Sequence, residues 1–144
     1  MVRNIEMFFE ILGKKNSSEK AKHLYHAALS QSRLDMFYSE YGVPDSVDGR
    51  FEMIAMHVFL ILHRLKQGDI KDDRLSQALF DHMFKDLDQA LREMGIGDLG
   101  VGRKVKEMAK AFYGRISAFE TSLGNEKELK EAILRNVFRG QEVK

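Results

Sequence analysis

The stretch FEMIAMHVFLILHRL, residues 51–65, decides the fold. Its apolar residues are so frequent that a helix formed from it has no polar face, and such a helix belongs in the middle of a bundle. It contains Glu52, His57, His63 and Arg64, and it is shorter than the roughly 18 to 20 residues that a membrane span requires. The stretch therefore predicts a central apolar helix over about residues 47–66.

Apolar residues recur at helical spacing before this helix. Gly13 predicts the end of a short first helix, and Asn16 with Glu19 has the form of a capping box that opens a second one. The sequence Gly42-Val43-Pro44 predicts a loop, because proline disfavours helical geometry in the residue before it. Asp45 or Ser46 is then the expected N-cap of the central helix.

One-sided apolar stripes predict further helices after it, from about Asp73 to Met94 and from Val101 to Leu123. Asn125 with Glu128 forms a second capping box, which introduces a last helix. We therefore expect an all-α fold, a single domain over residues 1–144, built as a bundle of about six to seven helices.

Composition narrows the function. The chain has 144 residues, 23 basic and 22 acidic, for a net charge of +1, which lacks the strongly basic signature of nucleic-acid binders. It contains no cysteine, which excludes disulfides and thiolate chemistry and fits a cytoplasmic setting. The N-terminus has no secretory signal pattern.

The glycine-rich stretch GIGDLGVGRKVK, residues 95–106, has the spacing of a dinucleotide-binding turn. That motif needs a buried strand before it, and a helix precedes it here. We interpret it as a turn in which Gly95 is a left-handed C-cap and Asp98 is the N-cap of the next helix. No cofactor is expected.

The histidines and carboxylates do not form a catalytic pattern. His82 and Asp86 share a helical face without a third metal ligand, and the pairs Asp81–Lys85 and Asp88–Arg92 have the spacing of surface ion pairs. His57 and His63 point to different sides of their helix and are expected to be hydrogen-bonded within or beside the core. The chain is therefore predicted not to be an enzyme and to hold no metal.

Charge is segregated along the second half of the chain. Residues 69–98 hold eight acids and four bases, a net of −4, whereas residues 102–115 hold five bases and one acid, a net of +4. Two interpretations stay open. The two helices pack as a hairpin and partly neutralise each other, or they present a two-signed surface that orients a protein partner.

Two long runs, VPDSVDGRFEMIAMHVFLILHRL (43–65) and LFDHMFKDLDQALREMGIGDLGVGRKVKEMAKAFYGR (79–115), resemble the ubiquinol-cytochrome c chaperone family over about residues 24–120. The resemblance implies a non-enzymatic assembly factor of ubiquinol-cytochrome c reductase that receives newly made cytochrome b, in some members together with a small partner protein. The chain looks like the bacterial core-domain form, since it lacks a mitochondrial presequence. Its near-neutral charge gives ribosome contact no support.

The resemblance also implies site residues. We expect partner contacts or inter-helix ion pairs from a charged set: Arg50, Asp81, Asp86, Arg92, Glu93, Asp98 and Lys104. We expect a structural role, in turns, close helix contacts or the core, from a second set: Gly49, Phe51, His57, Gly95, Gly97 and Gly114.

The predicted binding mode is an apolar groove between helices with a charged rim, for which eight methionines and ten phenylalanines offer adaptable surface. Two alternatives remain. One is a peripheral adaptor at the inner face of the bacterial membrane, held through Phe8 and Phe9 of the first helix. The other is a protein that handles haem or quinone through His57 or His82.

Overall fold

The structure, a computed structural model, describes residues 2–68 and 72–140, and for residues 2–4, 8–12 and 14 it describes the backbone alone. Over these ranges the chain forms helices and no strand, which confirms the all-α prediction. The six helices are α1 (Val2–Ser32), α2 (Asp35–Ser39), α3 (Val47–Gln67), α4 (Asp73–Glu93), α5 (Asp98–Ser122) and α6 (Glu126–Asn136). None of the described helices is long and apolar enough to cross a membrane.

The first helix is longer than the sequence predicts. The chain continues as one helix through Gly13 and Asn16, so the predicted stop and the first capping box are wrong. A Cβ at Gly13 would lie 2.8 Å from Nη1 of Arg74 in α4. The end of the flexible Arg74 side chain thus lies beside Gly13, and the packing of α1 against α4 and α3 outweighs the local tendency of glycine to end a helix.

The central helix forms where the sequence predicts it. The Ser46 side chain caps α3 by accepting a hydrogen bond from the Gly49 N–H at 3.1 Å. Phe51, Met53 and Val58 of this helix are buried. The first half of α3 is therefore the centre of the bundle, whereas Leu60 in its second half is about half exposed.

The buried residues form one large cluster and two small ones around α3, and one of the small clusters joins Phe59 of α3 to Phe119 of α5 and Ala132 of α6. The main core joins α3 to α1, α4 and α5, and it includes Tyr25, Leu79, Met83 and the fully buried Phe112. On the other side α2 and α6 meet α3 around a small cluster of Val43, Met53 and Val137.

The α4–α5 turn follows the prediction at Gly95 but not at Asp98. Gly95 has φ of +86°, the left-handed conformation expected of a C-cap glycine. The N-cap of α5 is Gly97, without a side-chain cap, and Asp98 is the first helical residue. Asp98 lies there because its carboxylate pairs with Arg92 of α4. The Asn125 cap of α6 is confirmed by bonds from the N–H groups of Lys127 and Glu128.

Candidate functional site

A large, mainly apolar depression lies on the side of α3 away from the main core. It occupies about 910 Å³ between α2, the loop after it, α3 and α6. We call this depression the groove. The side chains that line it are mainly apolar and include Phe37, Tyr41, Val43, Met53, Met56, Ile133, Leu134, Val137 and Phe138.

The floor of the groove is the outward face of α3. Met53 is buried there, and Met56 is half-buried one turn further along. His57 stands next to them. A hydrogen bond of 2.7 Å joins its Nδ1 to the Met53 carbonyl oxygen, and its ring meets the Phe37 ring edge-on at 5.7 Å between centroids. This ring therefore ties α2 to α3, as expected of a boundary histidine.

One wall of the groove is the loop that leads into α3. A Cβ at Gly49 would overlap the carbonyl oxygen of Pro44 and lie 3.0 Å from its carbonyl carbon. The loop can rest on the first turn of α3 only because residue 49 has no side chain. This contact holds Val43 against Met53 and gives Gly49 the structural role that was expected of it.

The opposite wall is α6 with the residues just after it. Ile133 and Leu134 of α6 line the groove, and so do Val137 and Phe138 beyond its end. An ion pair of 2.6 Å between Arg139 and Asp48 joins the end of this wall to the start of α3. The charged residues that line the groove are Glu126 and Lys130, at the N-terminal half of α6.

A buried ion pair supports α3 from the opposite side. Arg115 of α5 donates two hydrogen bonds to the Glu52 carboxylate, of 2.8 and 2.6 Å, and Glu52 is only 5% exposed. The hydrogen bonds to Glu52 raise the pKa of Arg115 above its ordinary value, with its partial burial acting in the other direction. This bidentate pair fixes how α3 and α5 cross.

The charged residues expected at the rim do not line the groove. Arg50 lies at its α2 side, pairs with Asp45 at 2.7 Å and stacks its guanidinium 5.5 Å from the Tyr38 ring centroid. Arg92 pairs with Asp88 at 2.7 Å and with Asp98 at the α4–α5 turn. The predicted charged rim is therefore dispersed over several surfaces.

Other members of the charged set have partners within or between helices. Asp86 accepts a hydrogen bond of 2.5 Å from the buried Tyr25 hydroxyl of α1, and burial together with this bond raises the pKa of Tyr25. Glu93 accepts from Gln89. The predicted ion pair between Asp81 and Lys85 is wrong. The Asp81 carboxylate instead accepts a hydrogen bond from the Gln77 side-chain amide, one turn earlier on α4. Lys104 is exposed on α5.

The remaining structural positions give a mixed outcome. Phe51 is buried in the main core. Gly97 belongs to the α4–α5 turn with φ of −72°, a backbone that any residue adopts. Gly114 lies within α5 with nothing near its Cβ position, so the expectation of a turn or a close helix contact is wrong there.

His82 lies in a second, more polar cleft between α1 and α4. Its Nε2 is 3.0 Å from the Ser18 carbonyl oxygen, whereas Asp86 is engaged by Tyr25. Among residues 2–68 and 72–140 no three potential ligands are close enough together to hold a metal ion. The Phe8 and Phe9 side chains, on which the membrane alternative depends, lie outside the described set.

Sequence reasoning missed two features of this region. The position of the groove was not predicted, because helical spacing shows which residues are apolar but not which helix remains uncovered. The Glu52–Arg115 pair was also missed. Its signal was a carboxylate within the most apolar run of the chain, since such a group is rarely buried without a partner.

Comparisons with known proteins agree with the resemblance in the sequence. The ubiquinol-cytochrome C chaperone family matches residues 39–144. The crystal structure of the Cbp3 homolog from Brucella abortus superposes with a TM-score of 0.77 at 35% sequence identity, over 94% of this chain and 77% of that chain.

Curated relatives are more distant. Ubiquinol-cytochrome-c reductase complex assembly factor 1 of Xenopus laevis is 23% identical over 84% of this chain, and the mouse protein of that name is 23% identical over 82%. The chain spans 61% of the frog relative and 40% of the mouse relative.

Proposed function

The chain belongs to the ubiquinol-cytochrome c chaperone family, and on that premise we propose that it is a non-enzymatic assembly factor of ubiquinol-cytochrome c reductase that binds newly made cytochrome b in the groove. The relatives are named for assembly of this complex. A client with transmembrane helices would offer an apolar segment before its other subunits cover it. Such a segment fits a groove with apolar walls.

The observation that carries the proposal is the shape and chemistry of the groove. Its volume of about 910 Å³ lies between three helices, and its lining is mainly apolar. Monomeric proteins rarely leave a contiguous apolar surface of this kind without a binding role. A depression between helices with apolar walls suits a helix-in-groove mode of binding.

The side chains of the groove also suit a client that arrives incompletely folded. Met53 and Met56 form its floor, and unbranched methionine side chains adapt to irregular apolar surfaces. Glu126 and Lys130 give the α6 wall one acid and one base, which would set the direction of a bound segment without a strong net field. These two residues take the place of the charged rim that was expected elsewhere.

The dispersed charged residues are proposed as secondary contacts. Arg50 is engaged by Asp45 and Tyr38 beside the groove, so it can present its outer face to a client. Lys104 lies on α5 and would touch a separate partner protein, for example a small helical one. We place the protein on the cytoplasmic side of the bacterial inner membrane, where cytochrome b is inserted.

The proposal is tested by placing a charge in the groove, at the exposed Tyr41 and at the half-buried Leu134. In Tyr41→Glu and Leu134→Glu, a carboxylate would face the client, and desolvating it would oppose binding. We expect cytochrome b to be lost from pull-downs and the amount of assembled reductase, measured by its haem absorbance, to fall. Leu60→Glu is the matched control, because Leu60 is 48% exposed and Tyr41 is 49% exposed, and Leu60 is not among the groove residues.

Thermal unfolding of the three variants separates a binding defect from misfolding. If all three unfold alike and Leu60→Glu alone retains cytochrome b, the groove is the client site. If the groove variants retain cytochrome b, the client binds elsewhere. If deletion of the whole protein leaves the reductase assembled, the assembly function itself is wrong.

A further inference from the structure

The outward face of α5 carries a single stripe of residues that the proposed function does not use. Leu99, Arg103, Lys106, Lys110 and Tyr113 are three or four positions apart, so they share one side of the helix. All five are exposed. The opposite side of α5 packs into the main core through residues such as Val101, Met108 and Phe112. The stripe therefore faces away from the main core, although the Tyr113 ring at its end also packs against Phe80 of α4, at 5.6 Å between ring centroids.

The stripe is positively charged, although the exposed Glu107 lies beside it, four residues after Arg103 and three before Lys110. It contains three cations and no acid. Among the described residues none of these cations forms an ion pair, in contrast to Arg92 and Arg115.

The acidic α4 does not compensate for this charge. Asp86 of α4 is engaged by Tyr25 of α1, and Asp88 is engaged by Arg92. Among the described residues no ion pair joins the acidic segment 69–98 to the basic segment 102–115, since Arg92 and Asp98 both belong to the acidic segment. The three cations of the stripe are therefore available to an anionic partner.

Both ends of the stripe are marked by large side chains with apolar surface. Leu99 is 88% exposed and Tyr113 is 60% exposed, and Met94 at the adjoining end of α4 is 58% exposed. From residue 99 to residue 113 the stripe extends about 21 Å at 1.5 Å per residue. The stripe thus combines the two chemistries of a membrane interface. Its middle holds cations that bind phosphate, and its ends hold side chains that enter the acyl boundary.

We propose that this stripe is a docking surface for an anionic phospholipid membrane, with α5 lying parallel to the bilayer. Arg103, Lys106 and Lys110 would contact lipid phosphates, while Leu99 enters the interface and Tyr113 lies at the level of the headgroups. A polyanion such as RNA would satisfy the cations equally well, but an exposed leucine gains nothing from a phosphate backbone. The leucine favours the lipid surface.

The first test measures partition onto vesicles. We expect the protein to bind vesicles of phosphatidylglycerol and phosphatidylcholine in equal parts far better than vesicles of phosphatidylcholine alone, and to be released by salt. Each cation near such a surface contributes roughly fivefold in partition, so Lys106→Glu with Lys110→Glu lowers binding by about 25-fold or more. The control is Lys22→Glu with Lys127→Glu, which changes the net charge equally at exposed positions on α1 and α6.

The second test reports whether the stripe enters the lipid. The chain contains no tryptophan, so Leu99→Trp introduces a single fluorophore at the end of the stripe. We expect a blue shift with anionic vesicles and quenching by lipids brominated near the headgroup. Leu60→Trp, on α3, is the control and is expected to show neither effect.

The outcomes decide between occupants. Absence of vesicle binding overturns the proposal, and so does vesicle binding that the stripe variant and the control variant retain equally. Salt-sensitive binding to structured RNA, lost in the stripe variant and accompanied by no vesicle binding, assigns the stripe to nucleic acid instead. The proposal goes beyond the client site, and the vesicles contain no protein, so its failure would leave the assembly proposal untouched.

Discussion

The two sides of α3 pack differently, although one helix supplies both. Toward α1, α4 and α5 its side chains enter a continuous core that includes the fully buried Phe112 and is braced by the Glu52–Arg115 pair. Toward α2 and α6 only two small clusters are buried, around Met53 and around Phe59, and half-buried side chains such as Met56 of α3 and Ile133 of α6 line the groove. The main core therefore carries the stability of the fold, so that the groove side can keep apolar surface available for binding.

The largest expected effect is on the main core. Phe112→Ala removes a fully buried ring that lies among Phe80 and Phe84. We expect the free energy of unfolding to fall by about 3–5 kcal/mol, from lost burial and from the cavity left behind. Urea unfolding followed by circular dichroism measures this loss.

Ile133→Ala on the groove side is the counterpart of Phe112→Ala. Because Ile133 is only half-buried, we expect a loss of about 1 kcal/mol, below the usual cost for a fully buried isoleucine. Similar losses in the two variants would mean that the two sides of α3 carry the fold equally, which contradicts the division of stability between them.

The next expected effect concerns the ion pair that braces α3. Arg115→Met leaves the buried Glu52 carboxylate without its partner. Breaking a buried pair costs about 3–5 kcal/mol, and since the Arg115 side chain is partly exposed we expect about 2–4 kcal/mol here. Denaturant unfolding at neutral pH measures it.

The double variant Glu52→Leu with Arg115→Met is the control for the ion pair, because it removes the unpaired charge. We expect it to regain most of the lost free energy of unfolding. If the double variant is as unstable as Arg115→Met, the pair acts through packing of the arginine stem rather than through charge.

The sequence predicted the features of this structure that arise from neighbouring residues, but not those that depend on contacts between distant residues. The centre of α3, the Ser46 cap and the left-handed Gly95 follow from local patterns, and all three are present. The continuity of α1 through Gly13 does not, because it depends on packing against α3 and α4, which are distant in the sequence. Local signals predict where helices begin, but contacts between helices decide whether a helix ends at a weak stop signal such as a single glycine.

The sequence predicted that the candidate site is an apolar groove between helices, but it did not predict which helices form the groove. The capping box at Asn125 predicted the last helix, and the structure places Ile133 of that helix on the groove wall. Whether that wall would close onto α3 depends on the short α2 and on the loop held by Gly49. The spacing of apolar residues in the sequence does not predict the distance between two elements such as this loop and α6.

A smaller effect is expected at the contact that sets the groove wall. Gly49→Ala forces the loop at Pro44 away from α3, because a Cβ there would overlap the Pro44 carbonyl. We expect a loss of about 1–3 kcal/mol in unfolding free energy, typical of overpacking. Gly114→Ala is the matched control, since Gly114 lies in α5 with open space around it, and it is expected to stabilise by about 0.5–1 kcal/mol. Equal effects in both variants would show that Pro44 moves freely.

The smallest expected effect is a pH dependence on the main-core side. Burial, and then the hydrogen bond to Asp86, raise the pKa of Tyr25 above its ordinary value of 10.0. The neutral phenol is thus favoured in the folded state, so its contribution to stability is complete below pH 10 and declines as the pH rises above 10. Tyr25→Phe removes this contribution, and we expect it to lower the free energy of unfolding by about 1 kcal/mol at pH 7.

The difference in free energy of unfolding between wild type and Tyr25→Phe should narrow by pH 11. Comparing urea unfolding of the two proteins at each pH cancels the titration of the other groups. A gap that is constant from pH 7 to pH 11 would mean that Tyr25 ionises without cost in the fold, and the α1–α4 side would then be as open to water as the groove.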